Sequence, residues 1–300
     1  MQKNNLHKFL LYSLLTVIGF ILLYPLIYAI LVSLMGIGEY SKSTSLFPIS
    51  ANPSLMKYIT ILSFGDVAYW FRNTVFRVLW YLAFILGTSI VLGYFYAKRN
   101  FAGKKFTFYL LLSTMMIPNV ATIVPLFIIF ARWPFAGGND VFLGGHGILN
   151  TWGAVLLPGL FNVYSMFLTK QFYETLPGEY EESAKIDGAG TFRLIFQIYT
   201  PMLKPVLAFI FITISVQLWN DYQISLFFTN DGGGKNLMQL AYGMTKLTRL
   251  LAESKVDNNI LIDYPSAFAG YVLALLPTIV LYVKFQRYVV QGFVASGIKG

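Results

Sequence analysis

A 300-residue chain that is 56% hydrophobic and only 12% charged, with a mean hydropathy of +0.62, is not an ordinary soluble domain. A net charge of +9 would suggest nucleic acid as the partner of a soluble protein, but here the basic excess flanks apolar runs, where it matches anionic headgroups instead. The absence of cysteine excludes disulfides and thiolate metal sites.

The charges cluster and leave long gaps. Charge-free runs cover residues 9–38, 78–97, 106–131, 147–169, 205–220 and 264–283. A helix needs about 20 mostly apolar residues to cross the hydrocarbon layer. Five runs satisfy this outright, and the fifth in order, 205–220, must borrow flanking residues. The expectation is therefore an all-α, polytopic membrane protein with six transmembrane helices. A transmembrane barrel would show short alternating strands, whereas these runs are apolar on every side. The first run is too long for a cleaved secretory signal and reads as a retained span.

The first external segment, 39–69, mixes Ser, Pro, Gly and aromatic residues and is expected to be ordered only by packing on the bundle. The second, 132–146, is glycine-rich and reads as a tight turn. The third, 221–263, has a glycine hinge at Gly232, Gly233 and Gly234, followed by a helix-like stretch from 237 to about 254. The hinge with Lys235 superficially resembles a phosphate loop, but it lacks the four-residue spacer and the Ser/Thr after the lysine.

Orientation follows from the lysines and arginines. With a cytoplasmic N-terminus, the inside segments carry 13 basic and 5 acidic residues, and the outside segments 9 and 8. The loop 98–105 alone places four positive charges between two spans, which is where the positive-inside bias acts. Both termini are thus expected in the cytoplasm.

His7 and His146 belong to no ligand or catalytic cluster, so neither a metal site nor catalysis is expected. No charged residue lies at the centre of a predicted span, which argues against coupling to an ion gradient within this chain. Polar groups in spans mostly hydrogen-bond between helices. A sharper expectation is that Asn119, Gln217 and Asn220 line a hydrophilic path, helped by the bend expected from Pro118 and Pro125.

The most polar patterned segment lies between apolar runs, at residues 170–204. Pro177 or Gly178 can open a short helix with Glu179, Glu181 and Glu182 in or near its first turn, where carboxylates favour the helix dipole. Gly188 and Gly190 permit reversal, and Thr191 is placed to cap a second helix before Pro201 and Pro205. The expectation is a cytoplasmic helix–turn–helix.

Glu182-Ser183-Ala184, three residues, Gly188, nine residues, then Ile198-x-Thr200-Pro201 resembles the signature loop of binding-protein-dependent ABC importer permeases. Ser183 and Thr200 depart from the family's alanine and leucine, while both spacings match. Met115-Met116-Ile117-Pro118, Gly147 to Gly153, Phe167 to Phe172 and the C-terminal tail are similar to the carbohydrate branch, and the likeness runs from about residue 71 onward.

The resemblance implies the smaller, six-span permease of a maltose-type importer. Residues 1–70 would form the N-terminal tail, first span and first external loop, and 71–300 the importer transmembrane domain. The implied partners are a second permease, two cytoplasmic ATPases that carry ATP and magnesium, an external binding protein and a carbohydrate substrate. No cofactor is implied for this chain. The implied coupling residues are Glu182, Ala184, Asp187 and Gly188, with the 298–300 tail as a further ATPase contact and Gly232, Gly233 and Gly234 as a tip reaching the binding protein. Alternatives are a permease for amino acids or peptides, or a non-transporting membrane assembly protein.

Overall fold

The computed structural model describes residues 2–133, 147–229, 237–252, 255–256, 259–260 and 263–297. In chain order the elements are α1 (Gln2–Ser33), α2 (Ile37–Tyr40), α3 (Met56–Ser63), α4 (Gly65–Lys98), α5 (Lys104–Thr114), α6 (Asn119–Ala131), α7 (Trp152–Leu156), α8 (Val163–Thr175), α9 (Glu179–Ile186) and α10 (Thr191–Arg193). A π-helical stretch, Leu194–Tyr199, leads into α11 (Thr200–Met202), α12 (Lys204–Trp219), α13 (Gln223–Phe228) and α14 (Leu240–Ala252). A two-residue antiparallel pair, β1 (Lys255–Val256) with β2 (Asn259–Ile260), precedes α15 (Tyr264–Gly297). Every other described element is helical.

Among the described residues, three helices are long and apolar enough to cross a membrane: His7–Ser33 of α1, all of α4, and Tyr264–Gln286 of α15. Two broken pairs reach that length together. The halves α5 and α6 meet at 95°, with Pro118 at the N-cap of α6, so the break falls at Pro118 rather than at Pro125, which α6 accommodates in its interior. The segment Thr191–Met202 meets α12 at 78°.

The run 147–169 does not make the single long helix expected of it. Helix α7 ends at Leu156, Pro158 intervenes, and α8 begins only at Val163, where the Asn162 side chain accepts from the Ser165 N–H at 2.7 Å. Carbonyls released at the break face Tyr81, whose single hydroxyl hydrogen is shared between Val155 O, at 3.1 Å, and Pro158 O.

The chain forms two compact units. One comprises Met1–Ala68 with Gly243–Pro277. The segment 39–69, expected to be external, has helical structure of its own, with α3 and the end of α2, and is not ordered by packing alone. The Glu39 carboxylate accepts from the Ser50 hydroxyl and the Ala51 N–H, both at 2.7 Å, and these bonds hold its pKa below the ordinary 4.5. Asp263 caps α15 by accepting from the Ser266 N–H at 3.0 Å, and it pairs with Lys57 at 3.2 Å.

The other unit comprises Tyr69–Tyr242 with Thr278–Gly300. Here α8 packs against both α5 and α12, and α13 against α6 and α7 around Phe130, Ile148, Ala154 and Phe228. Helices α4 and α8 approach closely at Gly93: a Cβ there would stand 2.9 Å from the Thr169 methyl. This contact brings the C-terminal end of α4 beside the polar segment that follows α8.

Candidate functional site

The polar segment folds as a short helix, a reversal and a second helix. Pro177 and Gly178 precede α9, whose first turn carries Glu179, Glu181 and Glu182. The helix ends in a Schellman arrangement. Gly188 N–H donates to Lys185 O at 3.0 Å and Ala189 N–H to Ala184 O at 2.9 Å, with Gly188 at φ +72°. Only glycine adopts that backbone without a Cβ penalty, so the glycine of the motif is a geometric requirement of the turn. Gly190 occupies the cap position of the second helix, and Thr191 is its first helical residue instead of its cap.

The segment is tied down by groups beneath it. Glu181 is 8% exposed, and three partners converge on its Oε1: Arg99 Nη1 at 3.3 Å, Lys185 Nζ at 3.0 Å and the Tyr94 hydroxyl at 3.4 Å. Arg99 also lies over the Tyr94 ring, 5.2 Å from its centroid. Behind Glu181, the rings of Tyr94, Tyr173 and Tyr199 meet pairwise at 5.4–5.9 Å. They come from α4, α8 and the π-helical stretch, so the elements entering and leaving the loop share one buried aromatic joint. Lys98 Nζ adds a bond to Leu176 O at 2.7 Å.

The opposite face is exposed. Of the residues implicated by the sequence motif, Glu182, Asp187 and Gly188 are exposed, and Ala184 is buried as a packing residue. The same segment exposes apolar side chains, which is unusual for a polar loop. Ile186 is 86% exposed and Phe192 77%, and the Phe192 and Phe196 rings stack with centroids 6.2 Å apart.

The proposed path residues are exposed at helix ends: Asn119 at the start of α6, Gln217 and Asn220 at the end of α12. The Asn220 amide donates to Val216 O at 2.9 Å. Gly232, Gly233, Gly234 and the tail 298–300 lie outside the described residues.

Two functional-looking residues escaped the sequence reading. Glu181 was indistinguishable from its glutamate neighbours. Arg77 fell just before the second apolar run, but α4 starts at Gly65, so Arg77 is an interior helix position, 2% exposed and paired with Asp221 at 2.6 Å. The signal that could have found it was the amphipathic helical spacing of residues 66–77, which extends the apolar run backward.

The model of the binding-protein-dependent transport system inner membrane component family matches residues 89–294, which contain this loop and the residues that hold it, from Gly93, Tyr94, Lys98 and Arg99 to Tyr199. The chain belongs to this family. It is therefore a multi-pass inner-membrane transport component. The arabinooligosaccharides transport system permease of Bacillus subtilis (strain 168) is 27% identical over 289 residues, covering 94% of each chain. The diacetylchitobiose uptake system permease of Streptomyces coelicolor is 26% identical, covering 95% of this chain and 87% of that one. Among solved structures, a bacterial ABC transporter involved in import of the acidic polysaccharide alginate superposes with a TM-score of 0.74 at 18% identity, over 96% of this chain and 98% of that chain. That likeness establishes a shared fold.

Proposed function

We propose that this chain is the six-crossing permease subunit of an ATP-driven importer, carrying a sugar or oligosaccharide from an external binding protein to the cytoplasm by alternating access. The sixth crossing is the broken α7–α8 segment, both termini are cytoplasmic, and residues 71–300 form the importer transmembrane domain. The observation that carries the substrate class is end-to-end similarity to permeases described for arabinooligosaccharides and diacetylchitobiose.

In this reading the exposed face of α9 and its turn, with Glu182, Asp187 and Gly188 and the Ile186–Phe192–Phe196 patch, docks on a cytoplasmic ATPase. Ala184 packs the helix from below. A second permease and a pair of ATPases complete the membrane assembly. ATP and magnesium are held by the ATPases, and this chain needs no cofactor of its own. Gly232, Gly233 and Gly234 form the tip that reaches the binding protein, and Asn119, Gln217 and Asn220 face the solute path. An exposed apolar patch beside carboxylates at a helix N-terminus is the chemistry of a protein-docking surface, and this supports the assignment.

The test is reconstitution of the complete assembly in proteoliposomes, with radiolabelled arabinotriose, diacetylchitobiose and maltotriose as probes. Uptake of at least one sugar that requires ATP and the binding protein is expected. Uptake driven by an ion gradient without the ATPases, or import of amino acids or peptides alone, would contradict the proposal.

A further inference from the structure

The charged residues that the family motif points to, Glu182 and Asp187, are exposed, but the carboxylate that ties α9 to the end of α4 is Glu181, on its inner face. Its carboxylate meets Arg99, one residue beyond the end of α4, and Tyr94, in the last turns of α4. Neither residue is joined to α9 by adjacent sequence. The covalent connections of the loop run to α8 and to the Thr191–Met202 segment, so a force applied to α9 reaches those elements through the backbone. It reaches α4 only through side chains.

We propose that Glu181 is a positioning residue that clamps α9 to α4, so that α4 moves together with the loop when the partner ATPases close. The proposal rests on the importer reading given above. Four observations carry it. The Glu181 carboxylate is nearly buried and receives Arg99, Lys185 and Tyr94 on one oxygen. The cost of removing that charge from water is offset only while those partners stay in register, which makes the contact a defined geometry instead of a loose surface pair. Arg99 is itself held over Tyr94. The Lys98–Leu176 bond and the Gly93–Thr169 approach hold the same end of α4 against α8, the helix that leads into the loop. Packed helices shift as units with discrete settings, and this set of contacts makes α4 and α9 one such unit.

The experiment uses the absence of cysteine in this chain. Nitroxides are placed at Glu179→Cys on α9 and Ala83→Cys on α4, both exposed positions, in the full complex with cysteine-free partners. Their separation is measured by pulsed electron resonance in the nucleotide-free and vanadate-trapped states. With Glu181 present, the distance is expected to be the same in both states. Glu181→Gln and, independently, Arg99→Gln should let it change by about 3 Å or more, the scale of helix shifts in switching transitions. The charge exchange Glu181→Arg with Arg99→Glu should restore the constant distance, which loss of folding would not allow. A distance that changes with Glu181 intact, or stays constant in Glu181→Gln, overturns the clamp while leaving the importer reading intact. Failure of the ATPases to co-purify with the chain overturns the importer reading and the clamp with it.

Discussion

Two arginine pairings bear on α4, one buried and one half-buried, and they are satisfied in opposite ways. Arg77, inside the helix, has one ion pair with Asp221 at 2.6 Å and a cation–π contact with Tyr81 at 5.2 Å. Its Nε and Nη1 find no hydrogen-bond partner among the described residues. At the other end, Glu181 gathers Arg99, Lys185 and Tyr94 on one oxygen, so loss of Arg99 leaves its charge paired with Lys185 on the same helix while removing the ionic link to the end of α4. The Arg77 guanidinium depends on one carboxylate for its charge balance, whereas the Glu181 carboxylate stays paired within its own helix and depends on Arg99 and Tyr94 only for its tie to α4.

The sharpest break of this comparison is Asp221→Ala. It strands a guanidinium that is 2% exposed, and removing one partner of a buried pair costs about 3–5 kcal/mol. A fall in the thermal midpoint well beyond that of Arg99→Gln in the same detergent is expected, and equal falls would erase the distinction between the two pairings. Next comes Gly188→Ala. Nothing lies within 4 Å of the added Cβ, so the cost is purely conformational, roughly 1–2 kcal/mol for a left-handed non-glycine residue. Hydrogen exchange should show it as fraying of α9 alone.

A smaller, local effect belongs to Glu39. Its carboxyl pKa is held below 4.5 by Ser50 and Ala51, so the stabilisation is complete above that value and is lost as pH falls through the lower folded-state value. Faster amide exchange in residues 45–52 on acidification, after correction for intrinsic rates, is expected for the native chain and should be absent in Glu39→Gln. The smallest effect is Tyr173→Phe. The Tyr173 hydroxyl is buried and finds no partner among the described residues, so its removal should leave the thermal midpoint unchanged or slightly higher. A clear loss would show that this hydroxyl is bonded in the membrane-embedded protein.

The helical class and the bulk of the crossings could be read from the chain because apolar composition over some 20 residues is a collective property that no single residue overturns. The breaks are not collective. Pro118 stands at the break in the run 106–131 while Pro125 is accommodated within α6, and the break at Pro158 leaves carbonyls for a neighbour, Tyr81, to meet. That neighbour is invisible without the fold. In the loop, Gly188 could be assigned to the turn from its spacing, since left-handed backbone selects glycine. Which of the adjacent glutamates faces inward could not, because Glu181 and Glu182 differ by one position and the choice is made by Arg99 and Tyr94 on a distant segment. Arg77 was hidden for a similar reason: its partner Asp221 lies beyond several intervening helices in sequence.

The central claim is that the exposed face of α9 and its turn is where an ATPase drives this permease. The most direct measurement is the number of arabinotriose, diacetylchitobiose or maltotriose molecules imported per ATP hydrolysed, using the sugar that the native assembly takes up, in proteoliposomes carrying Glu182→Lys. Insertion and assembly should be retained, with import per ATP reduced by roughly tenfold or more, equivalent to about 1.4 kcal/mol of coupling. An unchanged ratio would contradict the claim.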